Sequence, residues 1–412
     1  MFEKDWERAL ACNIAKYILK FDDGPAEGNN EVEEVAQVLH EFHDMINVVF
    51  DYYAAQGSSN DITQMTTNAW SMFINECGLA NKHSKYCRGE DFDRLFIAID
   101  SGTKKEAGEK YNRKKAMNRQ EFYRSFVNIA CMRYVMTGEM VDVSDALHRV
   151  CSDIEVKIDR RTFIDSNDFR TRYAYIEETD DVLRKYEASL RLIYNRVTKL
   201  RGQDATKGMA NNLISVECWK DFCRAMSLIE ADLTDRDITL SFVFVRCSPW
   251  PGHHRLMLPC LAAPDMTHFG SVDRVLPLQS RMRVIDEQSD RGHILLTHLS
   301  FEDFLEALCR CSVMKAWPTP EEIEAAGTGN AGEHLIQLKH EDPEEFDTLL
   351  TKRAIPWGAD PILPIEVCVE NMCSVLISTC LKLQGKGKLA FRPLLTEKEV
   401  TTALKAQAGT GR

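Results

Sequence analysis

The chain repeats itself, and that repeat limits its fold more than any other feature. Trp70-x-x-Phe73 returns as Trp219-x-x-Phe222, 149 residues on, and Asp91 and Phe96 return as Asp237 and Phe242, 146 residues on. Met117-Asn-Arg-Gln-Glu121-Phe122 is matched by Leu299-Ser-Phe-Glu-Asp303-Phe304 at an offset of 182, and Phe126, Ile129, Arg133 and Thr137 keep that offset to Leu308, Cys311, Lys315 and Thr319. Matches in the same order, with one jump in offset, describe one unit present twice. The second copy carries the longer insertion ahead of its last helix. A duplicated supersecondary unit predicts two related modules rather than one continuous sheet or barrel.

Helical periodicity fills both copies. Trp6, Leu10, Ile14 and Tyr17 place an amphipathic helix over 3–21, and Val32, Val35, Val38, Leu39, Phe42, Ile46, Val49 and Phe50 place another over 31–54. Further helices are expected at 62–79, 90–99, 118–137, 143–154, 179–200, 214–229, 234–246, 300–315 and 363–383. Asp61 is a candidate N-cap after the Gly57–Asn60 break, and Pro318-Thr-Pro-Glu-Glu322 opens a short helix. Residues 201–212 read as a boundary, 248–298 as irregular and 327–332 as a small-residue linker. The expected fold is all-α: two four-helix units joined by the long 179–200 helix, with long irregular insertions. The expected division is an N-terminal helical segment at 1–56, a first unit at 57–160 and a connecting segment at 161–212. A second unit at 213–326, with its insertion at 247–298, and a C-terminal helix and basic tail at 327–412 complete it.

The end of each copy resembles the close of an EF-hand loop. Leu299, then Asp303 four positions on, then Phe304 opening a helix is that family's pattern, and Met117, Glu121 and Phe122 fit the same frame. The resemblance implies paired loops bridged at the aliphatic residue, with Glu121 and Asp303 where the family has its bidentate calcium ligand. The other ligand positions are lost. Counting back from Glu121 puts Lys110, Asn112 and Lys114 at the first, third and fifth loop positions, with Lys115 where the family has its glycine. Ammonium groups repel a divalent cation. Counting back from Asp303 gives Gly292, Ile294 and Leu296, and the first loops, taken as the stretches after Leu79 and after Ile229, lack the acidic pattern as well. No calcium is therefore expected, although Asp286, Glu287 and Asp290 could supply oxygen ligands from the insertion. Together with the Trp-x-x-Phe elements, the insertion and the Pro-Thr-x-Glu-Glu continuation, the chain resembles calcium-dead EF-hand-like proteins of protist flagella and axonemes.

Composition narrows the function. In 412 residues, 51 Lys and Arg oppose 63 Asp and Glu, a net charge of -12, which excludes nucleic acid as the main partner. No run is apolar enough to span a bilayer, and the acidic, amphipathic N-terminus is not expected to act as a secretory signal. The motifs of nucleotide-binding loops, zincins, serine hydrolases and kinases are absent, so no enzyme and no cofactor is expected. His253, His254, His268 and Cys260 lack the spacing of a zinc site. Cys309 and Cys311, two apart on a helix, face different sides, and Cys368, Cys373 and Cys380 fall on buried positions of an apolar helix. All are expected to be packed thiols of a reducing compartment.

Contact with a partner is expected at two basic runs. The first is Lys104, Lys105, Lys110, Arg113, Lys114 and Lys115; the second, in the tail, includes Lys386, Lys388 and Arg392. Trp250 and Phe269 give the long insertion apolar docking residues. The resemblance implies a structural protein of the ciliary or flagellar axoneme, with the tubulin lattice and neighbouring axonemal proteins as partners and no membrane. The alternative is a calcium-responsive EF-hand regulator.

Overall fold

A computed structural model describes residues 2–21, 30–57, 61–102, 111–200, 212–246, 289–382 and 391–406. The fold is mostly helical, and its described strands are two antiparallel pairs of two residues each. The chain divides into two compact units: Met1–Asp165 with Cys247–Leu296, and Ser166–Arg246 with Thr297–Arg412.

The first unit begins with α1 (Phe2–Ala11), α2 (Ile14–Ile18), α3 (Glu31–Glu41) and α4 (His43–Ala54). Each of the two long N-terminal helices read from periodicity is thus broken. Asn13 sits in the left-handed region (φ 63°) and ends α1; Phe42 (φ -96°, ψ 9°) ends α3 and starts α4. Apolar spacing runs on across both breaks, so the pattern alone conceals them. Next come β1 (Met65–Thr66), α5 (Thr67–Glu76), α6 (Gly89–Gly102), β2 (Ala116–Met117), α7 (Arg119–Ala130) and α8 (Val143–Lys157). α7 ends in a π-helical turn, Cys131–Val135.

In the second unit α9 (Ser166–Phe169) runs into a π-helical turn, Arg170–Ala174, and then α10 (Glu177–Val197). β3 (Ile214–Ser215), α11 (Val216–Ala225) and α12 (Asp235–Arg246) follow. α13 (Asp290–Thr297), of which residues 290–296 group with the first unit, occupies the end of the stretch expected to be irregular; in the second unit again, β4 (His298–Leu299) leads into α14 (Phe301–Met314). α15 (Pro320–Ala325) is the short helix expected after Pro318, and beyond it the expected single C-terminal helix and tail are four helices: α16 (Ala331–Glu341), α17 (Pro343–Arg353), α18 (Ile365–Lys382), which is the expected one, and α19 (Glu397–Ala406). The stretch 327–332 is no linker. Asn330 caps α16 by accepting from Glu333 N (2.9 Å), and Gly332 lets α16 meet α18, because a Cβ there would lie 2.4 Å from the Ser374 carbonyl oxygen.

The repeat is visible in the geometry. Met65 pairs with Met117 in the first unit, and Ile214 with Leu299 in the second. The bridged loops are therefore those ahead of α5 and α7, and those ahead of α11 and α14. The sequence reading took the stretches after Leu79 and Ile229 as the first loops; the strand pairing moves each one helix earlier. α4 and α10 become the leading helices, so the long α10 belongs to the second unit rather than to a connector. Both cores use the same rings. Trp70 meets Phe122 edge-on (6.4 Å, 85°), as Trp219 meets Phe304 (6.0 Å, 88°). Each indole donates to a carbonyl of the next helix, Trp70 to Phe92 (3.1 Å) and Trp219 to Ile238 (2.9 Å). Burying rings of this size gains roughly 1.5–3 kcal/mol each, and buried indole N–H groups need such partners.

Caps repeat as well. Thr66 and Ser215 cap α5 and α11, and Asn118–Glu121 and Ser300–Asp303 form reciprocal capping boxes on α7 and α14. α5 closes on Gly78 (φ 59°) with Leu79 N donating to Ile74 O, and α11 closes the same way on Ser227 (φ 53°) with Leu228 N donating to Cys223 O.

Candidate functional site

The first unit's bridged loops form the best-defined polar site of the sequence reading. Lys115, two residues before the bridging Met117, holds the left-handed conformation (φ 65°), and its N–H donates to Asp100 Oδ2 at the end of α6 (3.0 Å). Asn212, two residues before Ile214, is left-handed too (φ 74°). Glu121 is fully buried. Its Oε2 accepts from Asn118 N (2.9 Å) and its Oε1 from Asn112 Nδ2 (3.2 Å), so an amide N–H stands against the carboxylate where the resemblance places a cation. Gln64 sews the two loops together, donating to Tyr111 O and accepting from Arg113 N (3.0 Å). In the second unit Asp303 Oδ2 accepts from Ser300 N (3.0 Å) within its capping box.

Beside this loop lies a cleft of about 700 Å³. Phe96 and Ile97 supply its apolar wall, and Asp93, Asp100, Lys114 and Lys115 its polar edge. Ile97 is 63% exposed although apolar. Lys114 and Lys115 are exposed, whereas Arg113 pairs with Asp61 (Nε to Oδ2 3.3 Å). Arg392 serves the chain itself, donating to Leu394 O (2.7 Å) and pairing with Glu399 at the start of α19. Lys104, Lys105, Lys110, Trp250, Phe269, Lys386, Lys388, His253, His254, His268 and Cys260 lie outside the described residues.

Sequence reasoning missed Asn112, Gln64 and Asp100 as parts of the site. Asn112 was counted only as a degenerate ligand, and its use as a donor depends on the bridging of two loops far apart in sequence. Three further charged groups were also missed. Glu31, Glu34 and Asp142 bring carboxylate oxygens within 4.8 Å of one another. Burial pushes the Glu31 carboxyl up to about 7, and the neighbouring Asp142 adds to the rise. In the second unit Glu306 lies between Arg170 (Nε to Oε2 3.0 Å) and Arg310 (Nη2 to Oε1 2.8 Å), all three nearly inaccessible. The flanking guanidinium groups hold the Glu306 carboxyl below its ordinary value despite burial. Lys315 pairs with Asp232 (3.0 Å) beneath the surface.

The thiols pack as expected. Cys309, Cys311, Cys368, Cys373 and Cys380 are buried. Burial raises the Cys309, Cys311, Cys368 and Cys380 thiols to about 12, far from the thiolate that nucleophilic or redox chemistry needs. No described helix is long and apolar enough to cross a membrane. No protein-family model, curated protein or solved structure matches the chain.

Proposed function

We propose that the chain is a non-enzymatic scaffold built from two calcium-independent EF-hand-like pairs, acting in the cytoskeleton of a cilium or flagellum. The observation that carries this reading is that protein donors meet the acid of the first unit's loop: Glu121 accepts from Asn118 N and Asn112 Nδ2. Four features support the EF-hand-like frame: a bridging aliphatic residue, a left-handed residue two positions before it in two of the loops, a capping acid four positions after it in two, and a helix opened by Phe. A calcium-responsive regulator would need Asn112 to leave Glu121 and several further oxygens to replace it.

The cleft beside Lys114 and Lys115 joins exposed cations to an apolar wall, which suits an acidic, partly apolar segment such as those displayed by a tubulin lattice. Two such modules in one chain raise attachment by avidity. The axonemal location rests on the resemblance of residues 62–150 and 213–325. Co-sedimentation with stabilised microtubules tests the partner, and retention of a tagged chain in the detergent-insoluble cytoskeleton at moderate salt tests the location. The reading expects binding that weakens in Lys114→Glu/Lys115→Glu, and retention after detergent. Complete release into the soluble fraction with no microtubule binding contradicts it.

A further inference from the structure

The corner between α3 and α4 holds more hydrogen-bond acceptors than a neutral imidazole can satisfy. His43 Nδ1 lies 2.6 Å from the His40 carbonyl oxygen, and Nε2 lies 3.1 Å from Asp44 Oδ1. A carbonyl only accepts, so Nδ1 carries a hydrogen. An ionised carboxylate also only accepts, so a second hydrogen sits either on Nε2 or on Asp44. Burial, the largest influence, raises the Asp44 carboxyl, which favours retention of that proton within the pair.

What the corner supports is the N-terminal helix. Phe2 of α1 packs edge-on against His40 (5.3 Å, 78°) and Tyr123 (5.7 Å, 74°) and tilts over His43 (6.2 Å, 55°). The two imidazoles stack on each other at 5.1 Å. Tyr123 OH, from α7, donates to His43 O (3.3 Å) and Asn47 Oδ1 (3.1 Å). The other titratable and charged groups facing the corner are His40 on α3, Asp5 and Arg8 on α1, Arg119 on α7, and His148 on α8, whose ring meets Phe42. Asp5 pairs with Arg119 (3.3 Å), a bond between groups that keep their charge across neutral pH.

We propose that the His43–Asp44 pair holds one proton that latches α1 onto the first unit, and that losing it above neutral pH loosens α1. Without that proton a ring nitrogen lone pair faces a carboxylate, and either the ring or the Asp44 side chain turns away. The edge on which Phe2 rests then moves.

Hydrogen exchange of the full chain tests this, with residues 2–11 compared at about pH 6 and about pH 8 and α8 as internal reference. The reference cancels the intrinsic pH dependence of exchange. The proposal expects relative protection of α1 to fall by about three- to tenfold at the higher pH. Asp44→Asn removes the carboxylate and offers an amide donor to Nε2, so protection should stay flat in that variant. Unchanged wild-type protection between the two pH values overturns the latch, and so does a fall that persists in Asp44→Asn.

Discussion

The two units share a core and differ in what closes it. Rings, caps and strand pairs correspond residue by residue, as at Trp70 and Trp219. The end of the last helix does not. In the first unit Arg133 reaches the carbonyls of Gly78 (3.4 Å) and Leu79 (2.9 Å) at a partly exposed edge. In the second, Lys315, its repeat equivalent, is buried against Asp232, and Glu306 and Arg310 of the Arg170–Glu306–Arg310 network lie on the helix that Lys315 ends. One scaffold can thus be tied by a solvent-accessible guanidinium on backbone carbonyls or by buried ion pairs, and the two choices fail differently. The accessible tie loses only its own small contribution, whereas a broken buried pair strands a charge.

The largest expected effect sharpens that contrast. Glu306→Gln leaves two guanidinium groups without their counter-charge, and Lys315→Met leaves the buried Asp232 without its cation; each should destabilise the second unit by about 3–5 kcal/mol. Arg133→Met should cost the first unit about 1 kcal/mol. Urea unfolding followed by hydrogen exchange in each unit reads this, and equal losses in both would break the comparison.

The shared core should respond equally. Trp70→Phe and Trp219→Phe each remove the buried indole hydrogen bond to Phe92 O or Ile238 O and shrink a packed ring, at a cost of about 1–3 kcal/mol. Smaller still are the left-handed positions. Gly78→Ala should cost about 1–2 kcal/mol. Ser227→Gly and Lys115→Gly relieve strain at φ 53° and φ 65° and should each stabilise by about 0.5–1 kcal/mol, read as a higher unfolding midpoint.

The smallest effect is one of pH. Hydrogen bonding to the Arg353 guanidinium, the largest influence, holds the Glu322 carboxyl down to about 2. Its folded value lies below the ordinary carboxylate value, so the unfolded chain binds that proton more readily. The bridge therefore stabilises fully above about pH 4.3 and fades as pH falls toward 2. Both side chains are more than one-third exposed, which limits the effect to less than about 1 kcal/mol. Arg353→Met should remove this acid dependence from the unfolding midpoint.

Much of the fold is legible in the chain because the repeat reports on tertiary structure as well as on helices. Trp70, Phe73, Phe122 and their counterparts keep their spacing because each must reach the others in the core. The breaks at Asn13 and Phe42 are hidden, since a single left-handed or hinge residue leaves the apolar period intact. α16 is hidden because Gly327–Gly332 has a linker's composition, while Gly332 is there for a close helix approach that only a distant residue, Ser374, explains. At the site, the basic character of the loop is readable from Lys110, Lys114 and Lys115. The donors around Glu121 are not: Asn112 meets Glu121 only once β1 and β2 pair, and Gln64 joins from 47 residues before Tyr111.

The central claim, that the loops are closed without a metal, is tested most directly by thermal unfolding of the full chain in excess calcium and in chelator. A ligand present at a thousandfold over its dissociation constant stabilises the folded state by about 4 kcal/mol. The account predicts superimposable unfolding curves in the two conditions. A calcium-dependent rise in Tm that disappears in Glu121→Gln would contradict it.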